Sequence, residues 1–410
     1  MRSPKIRFKG YSEDWEQRKL GEITELKSAS RVHKDEWTSN GVPFYRSSDV
    51  MAAINGTENE KAFISEELYE KLSKVSGKLE EGDILVTGGG SVGNPYIVPD
   101  NKPLYTKDAD LLWIKNKGKF HPYFLYEFFF SPTFRNYLGS ISHVGTIAHY
   151  TITQLSETPI CLPSFEEQKE VGEYFQSLDH LITLHQRKCE QTQKLKKYML
   201  QKMFPQDKTN VPKIRFDGFT DAWEQRKLGE LADKVTEKNG RLQYIETFTN
   251  SAEFGIISQR DFFDHDIAKI GSLDGYYIVR NEDFVYNPRI STSAPVGPIN
   301  RNKLGRIGVM SPLYTVFRPH DVDTTYLEHF FKSKYWHSFM NYNGDSGARS
   351  DRFSIKDSVF FEMPITIPQI EEQRKIGEHL TQLDRLITLH QQKCDQLQSI
   401  KKYMLQNMFV

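Results

Sequence analysis

PICLPSFEEQKEVGEYFQSLDHLITLHQRKCEQTQKLKKYMLQKMF is the stretch that decides the fold, and it occupies Pro159–Phe204. It returns as PITIPQIEEQRKIGEHLTQLDRLITLHQQKCDQLQSIKKYMLQNMF at Pro364–Phe409, with 28 of 46 positions identical. A shorter pair lies upstream of each copy: PKIRFKGYSEDWEQRKLGE at Pro4–Glu22 shares 14 of 19 positions with PKIRFDGFTDAWEQRKLGE at Pro212–Glu230. The two offsets, 205 and 208 residues, are nearly equal. The chain is therefore a tandem duplication of one unit of about half its length.

The long repeat predicts one long helix in each copy. Pro163 and Pro368 precede the helices, and the EEQ that follows places carboxylates in the first turn, where the helix dipole favours them. Apolar residues then recur with the 3-4 spacing of a coiled-coil seam. They are Val171, Phe175, Leu178, Ile182, Met199 and Met203, and then Ile376, Leu380, Leu383, Ile387, Leu397, Met404 and Met408. Two such helices, each a rod of roughly 60 Å, are expected to pack antiparallel, with the globular segments at opposite ends.

Two His and two Cys share this seam, one turn apart on each helix: His185, Cys189, His390 and Cys394. That set matches the ligand count of tetrahedral zinc. Pairs four residues apart on two helices are a weak zinc signature, whereas Cys packs as a small apolar residue and His as a half-buried polar one. The sequence therefore favours helix packing, and no metal site is predicted.

The short repeat mixes Lys and Arg with Phe8, Trp15 and Leu20. A basic and aromatic mixture can mark nucleic-acid contact. Two nearly identical copies cannot read different base sequences, so a structural or partner-binding role is favoured. We expect the aromatic residues to anchor the block against the core of the globular segment.

The segments between the repeated blocks differ far more than the blocks do. Weakly similar segments still follow in the same order, such as GDILVTGGGSVGNPYIV at Gly82–Val98 and EDFVYNPRISTSAPVGPI at Glu282–Ile299. Uniform drift after an old duplication is the alternative, but drift alone would not leave the ends so alike and the middles so different. We interpret the chain as one scaffold used twice, with two different surfaces.

Three loops in each half concentrate small, polar and basic residues. They are YRSSD (Tyr45–Asp49), TGGGS (Thr87–Ser91) and HVGTIAHY (His143–Tyr150), and then SQRD (Ser258–Asp261), NPRISTS (Asn287–Ser293) and GARSDR (Gly347–Arg352). Polar side chains of these types pair with base edges, and Gly lets the backbone approach phosphate. The predicted DNA-contact residues are Arg46, Ser47, Ser48, Thr87, Gly89, Ser91, Thr146, His149, Tyr150, Gln259, Arg260, Asn287, Arg289, Ser291, Thr292, Arg349, Ser350 and Arg352. Any one such loop is ordinary solvated surface, but two different sets on a duplicated scaffold match two recognition sites.

Motifs for catalysis are weak. Ile84–Thr87 is a predicted strand, and GGGSVG after it is formally the GxGxxG dinucleotide fingerprint. That fingerprint needs a helix next, and Pro95 and Pro99 forbid one. The NPY of the first half resembles an amino-methyltransferase motif but has no cofactor-binding glycine strand. We therefore expect no catalytic residue and no cofactor in this chain.

The composition of the chain limits its domain count, its compartment and the class of protein to which it can belong. The chain has 410 residues, enough for two or three domains, with 54 Lys plus Arg against 54 Asp plus Glu. Three Cys rule out a disulfide framework and indicate a reducing compartment, the cytoplasm. The start, MRSPKIRFKG, has no apolar core, so no secretory signal is expected. Zero net charge argues against a simple polybasic nucleic-acid binder.

The WEQRKLGE segments, the GDI and EDF strands and the P-x-x-x-P-x-x-EEQ helices ending in KKYMLQxMF together resemble the specificity (S) subunit of type I restriction–modification systems, over essentially all 410 residues. The resemblance implies an α+β fold, with two homologous mixed α/β target recognition domains separated by a pair of long antiparallel coiled-coil helices and an internal pseudo-twofold. Each domain would read one half of a bipartite, asymmetric DNA site, and the helices would set the gap.

The same resemblance implies the partners. They would be double-stranded DNA, two methyltransferase subunits that bind S-adenosylmethionine and methylate adenine, and two restriction–translocase subunits that use ATP and Mg. The expected order is a first recognition domain at 1–160, a helix at 161–205, a linker at 206–211, a second recognition domain at 212–365 and a helix at 366–410. The chain is then a non-catalytic DNA reader. The alternative is a duplicated coiled-coil scaffold that organises protein partners without DNA readout.

Overall fold

The computed structural model describes residues 3–141, 149–205, 209–263, 270–345 and 351–410. The chain divides into two compact units. The first comprises Met1–Gln186 together with Gln391–Val410, and the second comprises Arg187–His390. Each unit therefore holds one variable segment and a part of both long helices. The domain limits expected from the sequence follow the order of the repeats and stay a prediction.

The first unit is a mixture of short strands and helices. Its elements are β1 (Glu16–Lys19), α1 (Leu20–Ile23), β2 (Leu26–Ser28), β3 (Trp37–Thr38), β4 (Val42–Tyr45), α2 (Ser47–Asn55), β5 (Ala62–Ile64), α3 (Glu66–Ser76), β6 (Ile84–Thr87), β7 (Pro95–Ile97), β8 (Tyr105–Thr106), β9 (Leu111–Ile114), α4 (Pro122–Phe128), α5 (Pro132–Ile141), α6 (Ile152–Ser156), β10 (Pro159–Leu162) and the first part of α7 (Phe165–Lys202). Two four-stranded sheets have the orders β2-β9-β6-β7 and β3-β5-β4-β8, and β1 pairs with β10. All of these strand pairs are antiparallel except β4 with β8.

The second unit repeats this plan with more divergent sheets. Its elements are β11 (Glu224–Lys227), β12 (Ala232–Lys234), β13 (Phe248–Ser251), β14 (Gly255–Ser258), α8 (Gln259–Phe263), β15 (Tyr277–Val279), β16 (Phe284–Tyr286), β17 (Ile299–Arg301), β18 (Gly308–Met310), β19 (Thr315–Pro319), α9 (Thr324–Lys332), α10 (His337–Asn343), α11 (Asp357–Phe360), β20 (Pro364–Ile367) and the first part of α12 (Ile370–Met408). One sheet has the order β12-β19-β16-β17, and β13-β14, β15-β18 and β11-β20 form separate pairs.

The central strands are buried along their whole length. Every residue of β6 and β9 in the first unit and of β16 in the second is buried, as continuous apolar runs predict. The Asp that precedes β6 and β16 is also buried, and it is fully hydrogen-bonded. Asp83 accepts a 2.8 Å bond from the Trp113 indole, and Asp283 accepts bonds of 2.8 and 2.9 Å from Arg318. The predicted strand at Ile84–Thr87 is confirmed as β6.

The short N-terminal block docks as predicted. Trp15 and Leu20 are buried, and the ring of Phe8 packs edge-on at 5.7 Å from Tyr174. β1 pairs with β10 directly before α7 begins. In the second unit Trp223 and β11 repeat these contacts. The block therefore joins the globular segment of each unit to the start of a long helix.

The EEQ of each long helix has a further role that its position did not predict. The second Glu, Glu167 or Glu372, is almost fully buried and accepts two bonds, of 2.7 and 2.8 Å, from Arg7 or Arg215. The Gln that follows bonds to the carbonyl of Pro163 or Pro368, at 3.1 or 2.8 Å. The KIRF and EEQ motifs therefore contact each other in both units. The EEQ motif serves this contact as well as the start of the helix.

Within each unit the parts of the long helices run antiparallel. In the first unit Phe175 contacts Phe409, with ring centroids 6.0 Å apart, and further along α7 Asp179 lies 2.7 Å from Lys401. In the second unit Cys189 contacts the carbonyl of Ile387, and Lys196 pairs with Asp384. The predicted helices and their antiparallel pairing are confirmed.

The C-terminal end of each long helix lies in the globular core of the unit formed mainly by the other repeat. In the first unit Phe409 packs against Trp15 and Phe124, at 6.4 and 5.3 Å between ring centroids. In the second unit Phe204 packs against Trp223 and Tyr326, at 6.4 and 5.4 Å. The amide of Ile6 also donates to the carbonyl of Asn407 at 3.0 Å, and Ile214 donates to Lys202 at 2.9 Å. Neither repeat therefore completes a unit without the helix end of the other.

A buried charge cluster fastens α12 to the first unit. The Lys401 ammonium lies 2.9 Å from Glu127 and 2.7 Å from Asp179. Glu127 is fully buried, and its burial, opposed by Lys401, raises the pKa of its carboxyl to about 8. One ammonium faces two carboxyl groups, so one of the two is favoured in its protonated form.

Among the helices of the described residues, none is both long and apolar enough to cross a membrane. In the same part of the chain, no three His, Cys, Asp or Glu side chains come together in a way that could hold a metal ion. Cys189 and Cys394 are buried on the long helices.

Candidate nucleic-acid interface

Two of the predicted loops of the first unit meet at Asp110, and the described end of the third, His149–Tyr150, joins them through Gly88. The hydroxyl of Ser47 donates to the Asp110 carbonyl at 2.9 Å, and the amide of Gly88 donates to the same carbonyl at 2.7 Å. The third loop joins because the amide of Tyr150 donates to the carbonyl of Gly88 at 2.8 Å. Asp110 carries a partner of its own, Lys107, at 2.6 Å. Segments far apart in sequence thus form one surface, the Asp110 cluster.

Gly88 is required for this convergence. A Cβ at Gly88 would lie 2.6 Å from the carbonyl oxygen of Ala109 and 2.8 Å from that of Tyr150. Both neighbours are backbone atoms, which cannot move away as the end of a flexible side chain can. Only a residue without a side chain lets the three loops approach so closely.

In the second unit two of the predicted loops border one cleft of about 460 Å³. Asn287, Arg289, Ser291 and Arg352 all line it. Arg289 and Arg352 face each other in an antiparallel bridge. The amide of Ile290 donates to Asp351 at 3.0 Å, and that of Phe353 donates to Pro288 at 2.7 Å. The structure therefore brings the NPRISTS loop together with Asp351 and Arg352, the described end of the GARSDR loop.

The two arginines of the cleft are available to a ligand. The side chain of Arg289 is 70% exposed, and its nearest acidic neighbour, Asp351, lies 3.7 Å away and is itself exposed. Arg352 is half-buried at the cleft wall. A guanidinium held this loosely can turn toward a phosphate or the edge of a base.

Comparison with known proteins places the chain in a family. A family model described as type I restriction modification DNA specificity domain matches residues 12–194 and again residues 220–399. The chain belongs to this family. The double match coincides with the tandem duplication, and it confirms the prediction of a type I DNA specificity subunit rather than an enzyme.

Curated relatives and solved structures agree with this assignment. Two proteins of Methanocaldococcus jannaschii, named as the MjaX and MjaVIII specificity subunits of type I restriction enzymes, are 25% and 23% identical to this chain. Each comparison covers 95% of this chain and 91% of the relative. The S subunit of a type I restriction–modification system from M. genitalium is 13% identical, covers 100% of this chain and 99% of its own, and has a TM-score of 0.58. That likeness concerns the fold, which it confirms as α+β with long helices.

Three of the predicted contact residues of this specificity subunit have buried side chains, and we reassign them to positioning the loops. Thr87 is fully buried, and its hydroxyl bonds to the Ser91 carbonyl and accepts from the Asn94 amide at 2.8 Å. Tyr150 is buried with its hydroxyl against Thr158. Gln259 is buried, its backbone amide donates to the Thr247 carbonyl at 2.8 Å, and its side chain donates to the Phe248 carbonyl at 3.4 Å. These side chains hold the loops in shape and do not face solvent.

Arg46 also has a mainly structural role. Its guanidinium lies 2.9 Å from the carboxylate of Asp49, and it stacks 5.5 Å from the centre of the Trp37 ring. The Arg46 amide donates to the same carboxylate at 2.8 Å, which closes the start of α2. Arg46 therefore fixes the helix that presents Ser47 and Ser48. Ser48 is exposed and accepts a bond from Asn59.

The remaining predicted residues divide by accessibility. Exposed positions are Ser48, Ser91, His149, Arg260, Arg289, Ser291 and Thr292, whereas Ser47, Asn287 and Arg352 are half-buried and the backbone of Gly89 is buried beside Asp110 and His149. Thr146, Arg349 and Ser350 lie outside the described residues. Contact between these residues and DNA stays a prediction.

Asn250 was not predicted and organises the floor of the cleft. It is buried, donates to the Val285 carbonyl at 2.7 Å, and accepts from the Asn300 amide at 2.7 Å. The Asn287 side chain in turn donates to the Asn250 carbonyl at 2.8 Å. An Asn inside the strand sequence FTNS is unusual, since Asn is depleted in strands. That signal was present in the sequence and was missed.

Proposed function

We propose that each unit of this specificity subunit reads one half of a bipartite DNA site, that the two half-sites differ, and that the long helices set the gap between them. The convergence of the variable loops carries this proposal. In the first unit the described parts of three variable loops meet at one surface and in the second unit those of two loops do, while the segments that match are used for packing. Two surfaces built from different residues on a shared scaffold suit an asymmetric site rather than a palindrome.

Repeated apolar faces support two copies of the same docking partner. In the first unit Leu181 and Leu184 on α7 and Ile400 and Tyr403 on α12 are exposed. The equivalent residues of the second unit, Leu386, Leu389, Leu195 and Tyr198, are exposed as well. Residues three apart share one helix face, so each unit presents the same two pairs of exposed apolar residues, one on each long helix, which we call its apolar patch. Clustered apolar residues on a protein surface mark interaction sites, so we infer that these patches contact a partner.

We assign the occupant of each patch as a methyltransferase subunit, which gives two per complex, and two restriction–translocase subunits would complete it. S-adenosylmethionine, ATP and Mg would be held by those partners, in the cytoplasm. The balance of 54 basic and 54 acidic residues fits a reader that depends on partners for phosphate attraction, because non-specific DNA affinity grows with the number of neutralised phosphates. We expect weak DNA binding by the isolated chain and strong, salt-dependent binding by the complex.

The test is a mobility-shift and methylation assay of the reconstituted complex on its mapped site. Arg289→Ala and Arg352→Ala should each weaken binding by about tenfold or more, in line with about 1–3 kcal/mol for a specific arginine contact. Arg280→Ala is the matched control, because that exposed arginine pairs with Glu237 away from the cleft. If both cleft variants bind and methylate as the wild type does, the chain is a scaffold without DNA readout.

A further inference from the structure

Exposed aromatic rings border the recognition cleft of the second unit. Phe254, Phe262 and Phe263 are 61%, 41% and 36% exposed, and Leu313 is 60% exposed. The rings form one group, since Phe262 lies 6.2 Å from Phe254 and 4.6 Å from Phe263 between centroids. A contiguous apolar patch of this kind on a protein surface usually marks a contact site.

The aromatic group and the polar readers share the same cleft. Phe262, Phe263 and Leu313 line it together with Arg289 and Asn287. The short helix α8 that carries both phenylalanines is held at its first residue, because Gln259 is buried and donates to the carbonyls of Thr247 and Phe248 at the start of β13. The rings are therefore presented on a fixed support beside groups suited to base edges.

The chemistry of a DNA groove limits what such rings can contact. In the major groove the C5-methyl of thymine is the apolar group on a base edge, and Phe is a side chain that packs on it. Insertion of a ring between base pairs is the other use of an apolar residue at DNA. A wedge must expose most of its ring, whereas Phe262 and Phe263 keep more than half of their surface packed against the protein and against each other. Contact with a thymine methyl group requires only the exposed edge of a Phe ring.

The first unit has no such aromatic group among its described residues. Outside the long helices, the exposed large apolar side chains there are the aliphatic Val75 and Ile152. Its Asp110 cluster is built from Ser and Gly residues, backbone groups and the Lys107–Asp110 ion pair. A requirement for an apolar base edge should therefore be confined to the half-site that the second unit reads.

We propose that the second unit recognises thymine methyl groups in its half-site through Phe262 and Phe263. This inference rests on the proposed function and adds to it the base feature that one unit selects. Arg289 and Asn287 would read the polar edge of neighbouring base pairs in the same cleft. The first unit would read its half-site through polar contacts.

The experiment replaces each thymine of the mapped site, one at a time, by deoxyuridine, which lacks only the methyl group. Binding of the reconstituted complex is then measured on each duplex. One or two positions in a single half-site should lose about fourfold in affinity, the effect of one buried methyl group. In complexes with Phe262→Ala or Phe263→Ala, thymine and deoxyuridine at those positions should bind alike. Val211→Ala, another exposed apolar residue of the second unit, should keep the discrimination.

Two results would overturn the inference. One is equal affinity for thymine and deoxyuridine duplexes at every position, even if Phe262→Ala weakens binding, because the ring would then act as a wedge or a packing residue. The other is discrimination that persists in both phenylalanine variants. Either result leaves the proposed function standing as long as the native duplex is still bound specifically. Loss of specific binding by the wild-type complex would contradict the proposed function itself.

Discussion

The guanidinium of Arg7 donates two hydrogen bonds, of 2.7 and 2.8 Å, to the buried carboxylate of Glu167. This pair joins the N-terminal block to the first turn of α7, and Arg215 with Glu372 repeats it in the second unit. Removing one partner of a buried ion pair leaves a charge without compensation, which costs about 3 kcal/mol. These two contacts therefore hold the shared blocks together.

Arg7→Met should lower the midpoint of thermal unfolding clearly, and Arg7→Lys should lower it less, since Lys keeps the charge but loses the bidentate geometry. Differential scanning calorimetry of the full chain measures both. Arg18→Met serves as the control, because Arg18 pairs with exposed Glu16 and Glu22 and such surface pairs contribute little. Equal melting of Arg7→Met and wild type would show that the pair does not stabilise the unit.

Glu127 should make the stability of the first unit depend on pH. Burial raises the pKa of its carboxyl to about 8 in the folded state, from an ordinary value of 4.5. The folded state therefore holds the proton more tightly than the unfolded state does. The stabilisation that Glu127 contributes to the folded state is fully present below pH 4.5 and is lost as the pH rises toward about 8. Glu127→Gln, which cannot ionise, should gain stability relative to the wild type across that window.

Thermal melts of the wild type and of Glu127→Gln at pH 5, 6.5 and 8 test this. The difference between the two proteins should grow with pH in favour of the variant. The surface variant Glu157→Gln is the control, since that carboxylate is largely exposed. A constant difference across the three pH values would mean that the carboxyl keeps an ordinary pKa.

Gly88→Ala should damage recognition by the first unit alone. The added Cβ meets two backbone carbonyls, so the loops around Asp110 must separate. We expect the complex to lose about tenfold or more in discrimination at one half-site while the other half-site is read normally. Mapping of modified bases with the variant complex measures this. The control is Gly139→Ala, in α5 with open space around it, which should leave discrimination at both half-sites unchanged. If Gly88→Ala lowered discrimination at both half-sites, the two units would not each read one half-site.

The apolar patches on the long helices should control how many partners bind. Leu181→Lys with Leu184→Lys alters the patch of the first unit, and Leu386→Lys with Leu389→Lys alters that of the second. Each double variant should reduce the methyltransferase subunits per chain from two to one, as native mass spectrometry counts them. Gln398→Lys, an exposed polar position on α12, should keep two. Unchanged stoichiometry in both double variants would remove these patches from the docking surface.

Local patterns in the sequence predicted the long helices, β6 and the buried Trp15 and Leu20. The 3-4 spacing and the absence of proline are properties of neighbouring residues, so they can be recognised without the fold. The role of Glu167 could not be recognised in this way, because its partner Arg7 is 160 residues away. A carboxylate in a first helical turn is favoured by the dipole alone, so its presence there does not indicate a distant partner.

The recognition loops were predicted as a set, but not residue by residue. Loop composition located the segments that meet at Asp110 and in the cleft of the second unit. It could not separate Thr87, whose hydroxyl is turned inward, from Ser91, which is exposed. That difference depends on the path of the loop backbone. Phe262 and Phe263 were not predicted as contact residues, because the prediction considered only small, polar and basic residues.

The backbone contacts between Ile6 and Asn407 and between Ile214 and Lys202 are equivalent. In the second unit the bonded residues are joined by the intervening chain, and in the first unit they lie near the two ends of the sequence. A linker copied from residues 205–211 would therefore connect Phe409 to Pro4, and the chain would be opened within residues 205–211. We expect the circularly permuted protein to keep both units, with the order of the two repeats along the polypeptide exchanged.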